Sequence, residues 1–219
     1  MITLRFAWAL LAATLSFTVP GTAVGAEPQL TRAQALKRLS EDDPARRREA
    51  VARLGEVGVM ADAKALVAQL RDTDEEVRSG AEDALWKIWA RSGDAKVDKL
   101  YETGVRQMSE GLAKEAVATF TRIIEMKPDF AEAWNKRATL YFLIGEHRKS
   151  LADCDEVMKR NPYHFGALAG YFQIYVQLDD LERALRYGRR ALEVNPNMEG
   201  VKNGVEAIER LLRRGRQAA

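Results

Sequence analysis

The chain has one cysteine, Cys154, and two histidines, His147 and His164. A single cysteine excludes an internal disulfide and any cysteine-rich metal site. The two histidines fall in different inter-helix segments, so they do not form a metal-binding or nucleophile-base pair. There is no phosphate-cradling glycine loop, no nucleophile elbow and no His-Glu-x-x-His pair. Charge of one sign is lacking too: 34 Lys and Arg stand against 32 Asp and Glu, a net charge of +2. That balance carries no electrostatic footprint for nucleic acid. Carboxylates are plentiful, but the pattern puts them on helix surfaces beside basic neighbours. No catalytic residues, cofactor or metal are expected, since the groups needed to build such a site are missing.

Long apolar runs are also scarce. The one candidate, Phe6 to Val19, is preceded by Arg5, broken by Pro20-Gly21 and followed by the small residues Val24-Gly25-Ala26. This is the layout of a cleavable secretory signal peptide over 1–26, and the run is short for a membrane span. The expectation is a periplasmic or secreted protein cleaved after Ala26, with no stable membrane insertion afterwards. No cysteine lies near that point to carry a lipid anchor.

What the chain does have is a repeat. Pro128, Pro162 and Pro196 stand 34 residues apart. The same step links Leu100, Trp134 and Leu168, then Gly104, Ala138 and Phe172, then Gln107, Tyr141 and Tyr175. It continues through Gly111, Gly145 and Asp179, through Ala116, Ser150 and Ala184, and through Phe120, Cys154 and Gly188. Within each copy the apolar residues recur at helical spacing, which predicts two antiparallel helices around a glycine or polar turn. Lys127-Pro128, Asn161-Pro162 and Asn195-Pro196 end the second helix, because proline lacks the amide donor and disfavours a helical residue before it.

This period, with its order of aromatic, small and proline positions, resembles the tetratricopeptide repeat. Three units are expected, at 97–130, 131–164 and 165–198 within 94–198. The third copy departs from the family pattern: Phe172 stands where a small residue is usual and Gly188 where a bulky one is, an exchange of volume between two sites. The resemblance implies a concave groove lined by the first helix of each unit, holding a protein or peptide ligand. Carried onto this chain, the groove positions are Tyr101, Val105 and Met108, then Asn135, Lys136, Thr139 and Phe142, then Ala169, Gln173 and Val176. A groove type that clamps a terminal carboxylate needs lysine, asparagine and basic residues where this chain reads Tyr101, Val105, Gly166 and Gly170, so that type is not expected. Two further stretches look particular, one around Trp134 and Arg137, the other at His164, Phe165 and Gly166. For Arg137 the bland alternative is an ion pair with Asp153 or Asp155. For the other stretch it is a helix-entry cap with an aromatic staple.

Upstream, residues 27–93 give two helix pairs related by a step of 31, aligning Leu39 with Leu70, Asp43 with Asp74 and Ala50 with Ala81. They resemble HEAT-type repeats, with Asp74 capping the last helix. The four-residue connector Arg91–Asp94 has no proline or serine run. One continuous solenoid is therefore expected, with Trp86 and Trp89 at its junction. Beyond Met198, the stripe Val201, Val205, Ile208, Leu211 and Leu212 predicts a capping helix with a basic tail over 199–219.

The reading is an all-α, right-handed α-α superhelix: HEAT-like pairs, three tetratricopeptide units and a cap. The stretches Ala131–Ala138 and Pro162–Gly170 together resemble a group of exported bacterial tetratricopeptide proteins. The implied function is a non-catalytic protein-interaction module of a bacterial envelope. The alternatives are an architectural homo-oligomer or assembly spacer, which implies self-association, and an accessory of a cell-wall-processing enzyme.

Overall fold

A computed structural model describes residues 29–218, so the predicted signal segment lies outside the described residues. Among these, eleven α-helices follow one another with a single short 3₁₀ turn, Met60–Asp62.

Helices α1 (Arg32–Arg38) to α4 (Glu75–Trp89) form the two upstream pairs, with α2 spanning Pro44–Val57 and α3 Ala63–Gln69. Their starts are written in the sequence. Thr31 and Gln34 make a reciprocal capping box. Asp43 caps α2 ahead of Pro44, and the Asp74 carboxylate accepts from Val77 N–H at 3.0 Å. The sequence suggests one helix from Ala61 to Leu70, but a 3₁₀ turn precedes a shorter α3. Asp62 causes this by turning its carboxylate back onto the Val59 amide at 2.8 Å and holding the Arg32 guanidinium. The second pair is tied to the first by Arg47 on Asp72 and Arg48 on Asp74, each bidentate. Leu54, Leu66, Leu70, Val77, Ala81 and Leu85 are wholly buried between the pairs.

Three antiparallel pairs follow: α5 (Ala95–Ser109) with α6 (Ala113–Met126), α7 (Ala131–Leu143) with α8 (His147–Arg160), and α9 (Phe165–Gln177) with α10 (Leu181–Val194). Two residues beyond the end of each first helix stands a residue with positive φ, at Gly111, Gly145 and Asp179. These are the three equivalent turn positions, and aspartate tolerates the left-handed region better than most residues. Each second helix stops at the residue before proline, as the step of 34 requires.

The volume exchange in the third unit is visible. In the first, the Phe120 ring lies against Gly104, where a Cβ would come within 2.7 Å of it. In the third, the bulky and small residues trade helices: Phe172 on α9 lies against Gly188 on α10, where a Cβ would sit 2.8 Å from the ring. The same ring also fills the space over Gly204 on α11 (Glu199–Ala218), at 2.6 Å from the Cβ position. One aromatic thus joins α9, α10 and α11. Val201, Val205 and Ile208 are buried beneath the capping helix. Leu211, predicted on the same stripe, is 58% exposed, whereas Leu212 packs against this core, so the buried stripe passes through Leu212.

The two segments do not continue one stack end to end. Instead α3 and α4 lie along the turns that join successive helix pairs of the second segment. Trp89 stacks on His164 with centroids 4.5 Å apart, and Trp86 meets Phe165 edge-on at 5.1 Å. Farther along, Asn195 Nδ2 donates to Glu82 at 3.0 Å and Asn197 Nδ2 donates to the Leu70 carbonyl at 2.8 Å. The Arg71 guanidinium reaches the carbonyls of Glu193 and Val194. Phe165, Val194 and Met198 consequently belong to the apolar core of the upstream pairs.

Candidate functional site

The first helices α7 and α9, together with α11, present a concave face with two adjoining clefts. The smaller, about 100 Å³, runs between α7, α8 and α9 and is lined by Asn135, Thr139, Ser150, Cys154, Ala169 and Gln173 among others. The larger, about 400 Å³, lies between α7, α9 and α11 and is walled by Phe142, Phe172, Val176, Gly204 and Ile208. Phe142 and Gln173 line both, so the clefts form one surface. A polar stretch of trough thus leads into an apolar one, and a pocket that seats side chains has this composition.

Six of the residues expected on the groove line these clefts: Asn135, Thr139, Phe142, Ala169, Gln173 and Val176. The first unit contributes none. Val105 is exposed and Met108 half-buried, apart from either cleft. Tyr101 needs a correction: its ring is buried between Phe120 and Phe130, so it belongs to the core and not to the concave surface. Lys136 turns away from the trough, with its Nζ over the Trp86 ring at 5.9 Å.

Beneath the trough lies a polar cluster that the sequence pattern does not reveal. Glu132 is only 1% exposed. Its carboxylate accepts from His164 Nε2 at 2.8 Å, from Lys136 Nζ at 3.0 Å, from Asn135 Nδ2 at 3.2 Å and from the Tyr101 hydroxyl at 3.4 Å. His164 Nδ1 accepts the Ala167 amide at 3.0 Å, capping α9. The ring proton therefore sits on Nε2 and points at Glu132. Burial alone would raise the Glu132 carboxyl, but the His164 hydrogen bond and the Lys136 charge outweigh it and hold the group below the usual carboxylate range. Burial and the Glu132 charge push the Tyr101 hydroxyl the other way, upward. A Glu–His pair invites a catalytic reading, but this one has no access to solvent and both partners are saturated. In the sequence, Glu132 and Lys136 look like an ordinary exposed pair four apart, which is why the cluster is missed.

The remaining singled-out residues have structural partners. Arg137 forms a bidentate pair with Asp153, both bonds 2.8 Å, while Asp155 accepts from Tyr171 instead. The Trp134 ring lies between Arg137 and Arg160, at 5.0 and 4.9 Å. Gly166 leaves room for the Trp86 ring, which a Cβ would meet at 2.5 Å. Cys154 is 2% exposed, and burial pushes its thiol up to about 12. Among the described residues no cluster of three His, Cys, Asp or Glu could hold a metal ion, and no helix is long and apolar enough to cross a membrane.

With this geometry in hand, residues 173–198 match the tetratricopeptide repeat family. The all-helical fold is similar to that of the first TPR of Spaghetti (RPAP3), solved bound to an HSP90 peptide, with a TM-score of 0.52 and 24% identity. That likeness covers 55% of this chain and 96% of the other. The matched stretch, residues 173–198, is one tetratricopeptide repeat. The Sgt2 TPR domain of Aspergillus fumigatus is similar at a TM-score of 0.53 and 20% identity, over 57% of this chain and 83% of that one. In sequence, a TPR repeat-containing protein of Rhizobium etli is 33% identical over 126 residues, 58% of this chain and 62% of that protein. The small glutamine-rich tetratricopeptide repeat-containing protein of Dictyostelium discoideum is 29% identical over 124 residues, 56% of this chain and 37% of that one. The chain thus spans less than two thirds of either relative. None of these four is described as an enzyme.

Proposed function

We propose that this protein is a non-catalytic interaction module that holds a peptide or protein segment in the trough formed by α7, α9 and α11. The observation that carries this reading is the continuity of the polar and apolar clefts through Phe142 and Gln173. The trough is lined by helix residues fixed from below, so little ordering cost attends binding. The ligand class that fits is a segment with apolar side chains for the pocket at Phe142, Val176 and Ile208. The Spaghetti domain supports the reading as a tetratricopeptide fold solved with a peptide bound. The lysine, asparagine and basic positions of a terminal-carboxylate clamp are not reproduced here, since those places hold Tyr101, Val105, Gly166 and Gly170.

The proposal extends to place and origin: an exported protein of a bacterial envelope, with the upstream pairs as HEAT-like repeats. The charged start, the apolar run and the small residues before Glu27 support export, and the relative in Rhizobium etli supports a bacterial source. Self-association is a second reading. Ile144 and Leu178, equivalent turn residues of neighbouring units, are 50% and 48% exposed, and a mass that rises with protein concentration would support it.

A photo-reactive side chain introduced at exposed Gln173 tests the main proposal, with the same group at exposed Arg122 on α6 for comparison. The expected result is a protein adduct from position 173 that disappears with Val176→Asp, a charge placed in the apolar cleft. Equal capture from position 122, or capture unaffected by Val176→Asp, would overturn the trough as the binding surface.

A further inference from the structure

A second cavity, about 200 Å³, lies at the seam where α4 meets the turns before α7 and α9. Two of its lining residues each carry a buried donor that has no partner: the Trp89 indole Nε1–H and the Asn161 amide Nδ2. Their residues are 3% and 1% exposed. Native proteins rarely leave such groups unpaired, so each needs a physical account. An indole N–H can only donate. The Asn161 Oδ1 is already engaged, accepting from Tyr163 N–H at 3.1 Å. Whatever completes this wall must therefore accept hydrogen bonds.

The charge around the cavity has the matching sign. Arg91, Lys127 and Arg160 line it, against the single carboxylate of Asp129. Arg91 donates only to the backbone carbonyls of Gly55, Glu56 and Gly58. Arg160 is paired with Glu156. Asp129 is 77% exposed and 3.6 Å from Lys127, a rim pair that a stronger acceptor could displace. The volume exceeds one water's share of about 30 Å³ and falls below the range of about 300–1,000 Å³ usual for drug-sized ligands.

We infer that this seam cavity binds a small oxyanion, a phosphate or a carboxylate, through the Trp89 and Asn161 donors with Lys127 and Arg91 supplying charge. The site is separate from the trough and does not depend on its function. It exists only while the upstream pairs are docked, because Trp89 and Arg91 come from that side and Lys127 and Asn161 from the other.

The test follows the Trp89 indole proton–nitrogen resonance of the 219-residue chain, assigned with Trp89→Phe. Sodium phosphate and sodium succinate are titrated separately against sodium chloride at matched ionic strength. A saturable shift with phosphate, with succinate or with both is expected, and the pattern tells which oxyanion the site prefers. Asn161→Asp keeps the turn acceptor but replaces the donor with a carboxylate, and should abolish the shift. Lys127→Gln, a change at the half-buried rim that leaves no core contact unfilled, should weaken binding about fivefold. No saturable shift with either anion would overturn the inference in favour of water alone. So would binding that survives Asn161→Asp unchanged, or, should that variant not fold, an affinity unmoved by Lys127→Gln.

Discussion

Replacing Phe172 with alanine tests whether one ring holds the end of the array together. The ring is 6% exposed and fills the space over Gly188 and Gly204. Truncating a buried phenylalanine costs about 3–5 kcal/mol, and the low end, about 3, applies where the cavity opens to a cleft that water can enter. Phe172 borders such a cleft. In a repeat array each unit contacts only its neighbours, so the loss should be local. Hydrogen exchange should therefore show α11 and the facing part of α10 losing protection, while α5 to α8 keep theirs. If unfolding stays cooperative, about 3 kcal/mol lowers Tm by roughly 6–12 °C for a chain of this size. A second substitution sharpens the argument. Gly188→Ala places a Cβ 2.8 Å from the ring and 2.6 Å from Val205 Cγ2, an overlap that offsets the gain of about 1 kcal/mol from alanine's helix preference. With the ring removed, Gly188→Ala should become more favourable by about 1–2 kcal/mol, a coupling typical of residues in contact. Strict additivity of the two changes, or unchanged exchange in α11, would refute the wedge.

Glu132→Gln keeps the shape but removes the charge that pairs with Lys136 and accepts from His164, and should cost about 3 kcal/mol in denaturant titrations. The same carboxylate gives an acid limb. Its folded value lies below the unfolded one, so its contribution is present above about pH 4.3 and is lost as pH falls through the folded value. The variant should therefore show a shallower loss of stability with acid, and an unaltered acid limb would remove Glu132 from the account. Cys154 lines the smaller cleft but its thiol is pushed up to about 12. Near neutral pH it should react with a thiol reagent about 10³-fold more slowly in the native chain than in guanidinium chloride. Equal rates would mean that the sulfur faces the cleft.

The features legible in the sequence are those that repeat or are local. The step of 34 gives helix pairs because each unit solves the same packing problem with residues at the same positions. Asp74 and Pro44 mark helix starts through bonds that span only a few residues. The exchange between Phe172 and Gly188 was readable because the first unit provides the reference pair, Gly104 and Phe120. Side-chain pairing across one helical hairpin was also within reach, as Arg137 and Asp153 show. Docking of the upstream pairs was not. Trp86 and Trp89 share a helix face, so the sequence says that they meet something, but His164 and Phe165 lie at the boundary of the second and third units and no period connects them. Asn195 with Glu82 and Asn197 with the Leu70 carbonyl are likewise single events in the chain. Of the groove positions, those of the second and third units other than Lys136 could be carried over by alignment. Tyr101 could not, because a large ring at that site closes over Glu132 and sinks into the core.

Helical arrays of this kind behave mechanically as springs, since adjacent coils can twist and open by small amounts at every turn. Here the upstream pairs act as a splint laid across the coils. They grip the turn before α9 through the tryptophans and the turn before α11 through Asn195 and Asn197. To stretch or unwind the array between those turns, the splint must first detach. The pitch of this part of the trough is therefore set by residues that never touch it, and a change in the splint would be felt as a change in curvature at the far wall.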